Sequence, residues 1–201
     1  MRLGLFGGSF DPVHYGHLLL AECCRAQCGL DRVWFLPAAN PPHKKGQQLS
    51  PAEQRVAMLR LATAGHEPFE VNTHEIDRGG TSYTVDTLRH FHEMHGDDEL
   101  FLLVGADMLA DLPNWREADE ICRLALPVAV RRPSSAKLNF DGLDSIASAE
   151  RINQIRAHQV EMPEIGTSST ELRSRVAAGR SIRFQTPRAV EEYIRMHGLY
   201  R

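Results

Sequence analysis

The chain has 201 residues, of which 42% are hydrophobic and 24% charged, and its formal net charge is −3. This composition is typical of a globular chain with a sizeable core. The slight negative net charge argues against nonspecific electrostatic binding of nucleic acid. No apolar run approaches the roughly 20 residues of a membrane span, and an apolar strand pattern begins at once, so we expect no membrane helix and no targeting peptide.

Buried strands and helices alternate along the first half of the chain. In order, the pattern predicts strand 2–7, helix 15–28, strand 32–37, helix 51–64, strand 69–72 and helix 84–95. Gly29 should end the first helix. The SPAE stretch at residues 50–53 predicts that Ser50 caps the second helix, with Glu53 completing a capping box.

The alternation continues in the second half, where the run at 100–105 is the clearest buried strand. In order, we expect strand 100–105, a short helix, helix 115–123, strand 125–130, helix 145–158, strand 160–162, helix 168–178 and helix 187–196. Gly179 and Gly198 should end the last two helices. The whole pattern predicts an α/β fold, a Rossmann-like, doubly wound, mainly parallel sheet with helices on both faces and ligands beyond the carboxyl ends of its strands.

Four cysteines raise the question of a metal site. They are Cys23, Cys24, Cys28 and Cys122, with no C-x-x-C pair among them. We therefore interpret them as small packing residues in a reducing cytoplasm, and we expect no metal bound by the protein itself.

The junction between the first strand and first helix carries the strongest chemical signal. Gly7 and Gly8 end the strand, and a helix start with oriented backbone N–H groups is a ready anion site. His14 and His17 then lie three residues apart, on roughly one face, as part of an H-x-G-H pattern. Both imidazoles can donate to phosphate oxygens, so the junction predicts a nucleotide phosphate site.

A second anion site is predicted near the C-terminus. Ser168, Ser169 and Thr170 open a helix and supply hydroxyl and N–H groups, and Arg173 follows one turn later. The alternative is ordinary helix capping by the serine with an exposed arginine.

The first motif, GGSFDPVHYGH at residues 7–17, resembles the signature of the nucleotidyltransferase α/β-phosphodiesterase superfamily, most closely the bacterial nicotinate mononucleotide adenylyltransferases. Four further blocks, in the family's order, and the chain's ending are similar: NPPHK at 40–44, SYTVDTL at 82–88, GAD at 105–107 with LPNW at 112–115, SSTELR at 168–173, and an ending with Tyr193 and GLY at 198–200. The dinucleotide fingerprint G-x-G-x-x-G and the Walker motif are both missing. The resemblance covers nearly all of the chain and implies one nucleotidyltransferase domain, 1–201, with a C-terminal helical segment at about 168–201.

The resemblance assigns roles to individual residues. Those implied to act in catalysis are His14, His17, Lys44 and Arg173. Those implied to bind ATP are Gly7, Gly8, Ser9, Phe10, His17, Gly105, Asp107, Ser168, Ser169, Thr170 and Arg173. Those implied to bind nicotinate mononucleotide are Asn40, Lys44, Tyr83, Thr84, Trp115 and Arg132.

Several of these residues have an alternative interpretation. Lys44 could be a solvated loop lysine, Asp107 a helix cap rather than a ribose contact, and Trp115 a core aromatic rather than a stacking partner of the pyridine ring. Arg132, with its neighbour Arg131, could equally lie at the surface.

The resemblance implies that ATP and nicotinate mononucleotide react directly to give deamido-NAD and pyrophosphate in NAD biosynthesis, with Mg²⁺ held through the ATP phosphates. No partner among nucleic acids or membranes is expected, and a homo-oligomer stays open. The same chemistry on nicotinamide mononucleotide or phosphopantetheine is an alternative. So are a nicotinamide-dependent oxidoreductase, a class I aminoacyl-tRNA synthetase and a non-catalytic nucleotide-binding module.

Overall fold

The computed structural model describes residues 1–42, 48–131 and 138–201. The strands are β1 (Arg2–Gly8), β2 (Arg32–Pro37), β3 (Phe69–Val71), β4 (Glu99–Gly105), β5 (Leu126–Arg131) and β6 (Gln159–Glu161). The helices are α1 (Tyr15–Cys28), α2 (Ala52–Thr63), α3 (His74–Arg78), α4 (Thr84–Met94), α5 (Ala106–Asp111), α6 (Ala118–Leu124), α7 (Ala149–Ala157), α8 (Ser169–Ala177) and α9 (Arg188–Met196). Every strand predicted from the sequence is present within one or two residues.

The six strands form one parallel sheet in the order β3-β2-β1-β4-β5-β6. The chain builds outward from β1 to β3 on one side, then returns to the centre and builds from β4 to β6 on the other. The order therefore reverses between β1 and β4, and in such sheets ligands bind beyond the carboxyl ends of the strands at this switch point. The predicted Rossmann-like, doubly wound sheet is confirmed.

The sheet is buried on both faces. Residues 100–104 of β4 are all 5% exposed or less, although successive side chains of a strand point to opposite faces. Helices must therefore cover both faces, which explains why these strands read as unbroken apolar runs rather than as alternating patterns. Gly29, Gly179 and Gly198 end their helices with φ between 60° and 66°, as predicted.

The predicted capping box at the start of α2 is wrong. Pro51 occupies the N-cap position, and no side chain caps this helix. Ser50 instead donates its backbone N–H to Asp11 and accepts a bond from Arg55 with its carbonyl oxygen. A tertiary contact has replaced the local one, because Ser50 lies against the buried loop that follows β1.

Three helices differ from the prediction. The short helix α3 was not expected, and α6 begins at Ala118 rather than at 115, because Trp115 is extended and Glu117 has a φ of 52°. Helix α7 begins at Ala149, where Ser148 accepts a bond from the Arg151 N–H. The backbone angles of Trp115 and Glu117 delay the start of α6, and the Ser148 cap marks the start of α7.

No helix within the described ranges is long and apolar enough to cross a membrane. Cys24, Cys28 and Cys122 are buried and all four thiols are unbridged. Burial raises the pKa of Cys122 to about 11, so this thiol stays protonated at neutral pH and behaves as a packing residue.

Candidate active site

The predicted phosphate-binding residues follow the two central strands at the switch point of the sheet. The loop after β1 leads into α1, and β4 ends at Gly105, which caps α5. Because β1 and β4 are neighbouring parallel strands, their carboxyl ends open onto the same edge. The fold thus places the residues predicted to bind phosphate at the edge where ligands bind in sheets of this kind.

His14 and His17 form a stacked pair at the start of α1. Their ring centroids lie 3.8 Å apart with 25° between the planes. The His14 backbone N–H donates to His17 Nδ1 at 3.2 Å. Because Nδ1 accepts this bond, the neutral form of the His17 ring carries its proton on Nε2. His14 is 5% exposed, whereas His17 is half-buried.

Two glycines of the motif are required by close packing. A Cβ on Gly16 would lie 3.0 Å from both Cε1 and Nδ1 of His14, and a Cβ on Gly8 would lie 2.9 Å from the Phe10 ring. Phe10 has a φ of 48° and is 1% exposed, and its ring packs 5.1 Å from that of His17. Any ATP contact of Phe10 must therefore come from its backbone.

The C-terminal segment holds the loop that carries the histidines. Arg173 Nη1 donates to the Asp11 carbonyl oxygen at 2.7 Å, and Ser169 Oγ donates to the Pro12 carbonyl oxygen at 2.8 Å. The predicted second anion site therefore lies directly beside the first. Arg173 is half-buried and oriented by this bond, so the alternative of an exposed arginine does not apply.

Ser168 and Thr170 open α8. Ser168 Oγ accepts the Glu171 backbone N–H at 3.2 Å, which is the capping role left open by the sequence. The hydroxyl of a capping serine can still donate its own proton, so capping and phosphate binding are compatible. Thr170 Oγ1 accepts a bond from Arg173 at 3.4 Å.

Residues predicted to bind the mononucleotide meet around the start of α4. Asn40 accepts the Ser82 N–H at 3.0 Å through its carbonyl oxygen, and its amide group donates to Gly80 O at 3.0 Å. Tyr83 is the N-cap residue of α4, and Thr84 is its first residue. Asn40 is thereby joined to the segment that precedes Tyr83 and Thr84.

Trp115 lies on the neighbouring turn. Its indole Nε1–H donates to Asp111 Oδ2 at 3.2 Å, and the half-buried side chain packs against the core. The guanidinium of the next residue, Arg116, lies 4.7 Å from the ring centroid of Tyr83, which links this turn to the start of α4.

Other predicted residues are less constrained. Asp107 is exposed in the first turn of α5, and it does not cap this helix, because Gly105 is the N-cap residue and no side chain caps it. Arg131 pairs with Glu161, as a surface arginine would. Lys44 and Arg132 lie outside the described residues.

Buried charged groups around the site were missed from the sequence. Asp11 and Arg55 are each 1% exposed, and burial lowers the pKa of Arg55 while nearby Asp11 opposes this shift. Glu75 is 6% exposed, and its Oε1 accepts the Thr87 hydroxyl at 2.8 Å. Burial raises the pKa of this carboxyl group. Burial of Arg55 could have been predicted, because this arginine lies among the apolar residues of α2. No neighbouring residue in the sequence indicates that Glu75 is buried.

Comparisons with known proteins place the chain in a family. The cytidylyltransferase-like family model matches residues 5–175. A probable nicotinate-nucleotide adenylyltransferase of Roseiflexus sp. (strain RS-1) is 49% identical over 99% of this chain and 98% of its own length. A protein of the same name from Thermus thermophilus is 46% identical over the full length of both chains.

The chain belongs to the nicotinate-nucleotide adenylyltransferase family, within the cytidylyltransferase-like proteins. As a member of this family it is a nucleotidyltransferase. Solved structures share the fold at lower identity. A Plasmodium falciparum nicotinic acid mononucleotide adenylyltransferase complexed with NaAD has a TM-score of 0.74 at 17% identity, covering 99% of this chain and 97% of that one. A putative nicotinate-nucleotide adenylyltransferase from Vibrio parahaemolyticus has a TM-score of 0.71 at 19% identity, covering 100% and 96%.

Proposed function

We propose that this chain joins ATP and nicotinate mononucleotide to give deamido-NAD and pyrophosphate, a step of NAD biosynthesis. The observation that carries the proposal is the stacked pair of His14 and His17 at the switch point of the sheet. The names of relatives at 46–49% identity support the same pair of substrates.

The reaction needs no nucleophile from the protein. The mononucleotide phosphate, already an anion, attacks the α-phosphorus of ATP, and the bond to the departing pyrophosphate breaks in line with it. Catalysis then consists of positioning and of neutralising the charge that develops on the phosphate oxygens. We assign this neutralisation to His14, His17, Lys44 and Arg173, with His17 donating through Nε2–H.

The two substrates are assigned to the two groups of residues described above. For ATP we propose Gly7, Gly8, Ser9, the Phe10 backbone, His17, Gly105, Asp107, Ser168, Ser169, Thr170 and Arg173. For nicotinate mononucleotide we propose Asn40, Lys44, Tyr83, Thr84, Trp115 and Arg132. The start of α4 favours a negative group, which suits the carboxylate of nicotinate better than the amide of nicotinamide.

Mg²⁺ would be carried by the nucleotide and would add positive charge at its phosphates. Within the described ranges no three His, Cys, Asp or Glu side chains cluster so as to hold a metal ion. Phosphate oxygens and water are the ligands that Mg²⁺ commonly keeps in such sites. The proposal further includes a cytoplasmic location, one nucleotidyltransferase domain over 1–201 with a C-terminal helical segment at about 168–201, and no nucleic acid or membrane partner.

The test is an assay of pyrophosphate release. The protein is incubated with Mg-ATP and, in separate reactions, nicotinate mononucleotide, nicotinamide mononucleotide, phosphopantetheine or no acceptor. We expect rapid release with nicotinate mononucleotide and only background release without an acceptor. Preference for nicotinamide mononucleotide would change the assigned substrate, and no release with either pyridine mononucleotide would contradict the proposal.

A further inference from the structure

The last residues of the chain return to the loop that carries the histidine pair. After α9, Gly198 adopts a φ of 60° and the Leu199 N–H donates to the Ile194 carbonyl oxygen at 3.1 Å, which turns the chain back. The Tyr200 hydroxyl then donates to Asp11 Oδ1 at 2.5 Å. This bond joins residues separated by 189 positions in the sequence.

Asp11 is held on three sides. Besides Tyr200, its Oδ2 accepts the Ser50 N–H at 3.0 Å, and its carbonyl oxygen accepts Arg173 Nη1 at 2.7 Å. The residue is 1% exposed, so water does not compete for these bonds. Burial raises the pKa of Tyr200, and the hydrogen bond to Asp11 adds to this rise, so the phenol stays protonated and remains a donor.

The rest of the loop is held in the same way. Its carbonyl oxygens at Ser9, Pro12 and Val13 accept bonds of 2.8 to 2.9 Å from side chains of later segments. The donors are Arg55, Ser169 and Thr186 respectively. These bonds direct the carbonyl oxygens of the loop toward donors within the protein. Because His14 follows directly after Val13, they also fix the backbone that leads into the histidine pair.

We propose that Tyr200 is a positioning residue for the transfer step, acting through the Asp11 carboxylate on the loop that carries His14 and His17. The inference rests on the proposed function. Tyr200 touches neither substrate, and its role is to hold Asp11 so that the histidine pair keeps its place at the phosphates. A misplacement of about 1 Å in such a site can cost up to about 10²-fold in rate.

The experiment is a double-mutant cycle on the full chain. Tyr200→Phe removes one hydroxyl and keeps the ring. We expect kcat to fall about tenfold, with KM for each substrate changed by less than about twofold. In a His17→Ala background the same substitution should lower kcat by clearly less than it does in wild type, because one of the two histidines that it positions is gone.

Tyr193→Phe is the matched control. Tyr193 lies on α9, and its hydroxyl donates to no described residue, so kcat should stay within about twofold of wild type. Unchanged kcat in Tyr200→Phe, or an equal fall in both backgrounds, would overturn the proposal. If Tyr200→Phe does not fold, Asp11→Asn keeps the volume and weakens the same contact, and the same criteria apply to it. An inactive wild-type protein would instead contradict the proposed function.

Discussion

The imidazole rings of His14 and His17 stack at a centroid distance of 3.8 Å, and the backbone N–H of His14 bonds to Nδ1 of His17. The first histidine thus orients the second and determines which of its nitrogens carries the proton. A donor oriented before the substrate binds needs no reorganisation during the reaction, which is the condition under which charge stabilisation is most effective.

Replacement of His17 tests its role as that donor. We expect His17→Ala to lower kcat by at least about 10²-fold, the scale for removing one transition-state donor. The measurement is steady-state pyrophosphate release with Mg-ATP and nicotinate mononucleotide. His92→Ala, at an exposed position of α4, is the control and should leave kcat near wild type. Near-normal turnover of His17→Ala would remove this residue from the mechanism.

Gly16→Ala tests the close packing of Gly16 against the His14 ring. The added Cβ would meet the buried His14 ring at 3.0 Å, so this ring, which stacks on His17, would have to shift. We expect a loss of about 1–3 kcal/mol in the free energy of unfolding, as for other overpacked sites, together with lower kcat. Urea denaturation and the pyrophosphate assay measure the two effects. Gly166→Ala, where a Cβ would meet nothing within 4 Å, should change neither; a neutral Gly16→Ala would show that the ring can move at no cost.

Trp115→Ala tests the predicted stacking on the pyridine ring. Loss of an aromatic platform typically costs about 1–3 kcal/mol per stacked base, so KM for nicotinate mononucleotide should rise at least about fivefold while KM for ATP stays within about twofold. Trp115→Phe keeps a flat ring and should show a smaller rise. Equal effects on both KM values would indicate that Trp115 only supports the fold.

The buried carboxyl group of Glu75 predicts a pH effect on stability. Burial raises its pKa in the folded state, so the folded protein binds this proton more tightly than the unfolded chain, whose pKa is about 4.3. Ionisation of Glu75 therefore lowers the free energy of unfolding as the pH rises above about 4.3 and through the pKa of the folded state. Glu75→Gln removes the titration, so its free energy of unfolding relative to wild type should increase between about pH 4 and about pH 8.

Urea denaturation at the two pH values measures this difference. Glu93→Gln, at an exposed position of the neighbouring helix α4, is the control and should show no such trend. If the difference between Glu75→Gln and wild type is the same at both pH values, the carboxyl group does not titrate differently in the folded state.

Much of this protein could be predicted from the sequence. The strand runs, the glycine stops and the H-x-G-H spacing depend on residues within a few positions of one another, and the resemblance of successive blocks identified the family. These local patterns predicted the element order, the doubly wound sheet and the junction that holds His14 and His17.

Only the tertiary structure decided how distant segments use one another's polar groups. The sequence predicts that Ser50 caps a helix, yet its backbone N–H donates to the Asp11 carboxylate. The hydroxyl of Tyr200, near the other end of the chain, donates to the same carboxylate. Glu75 belongs to no motif of the sequence, yet it is buried and accepts the Thr87 hydroxyl. The reason is physical: a buried polar group must find a partner wherever the fold provides one, and sequence distance does not limit that choice.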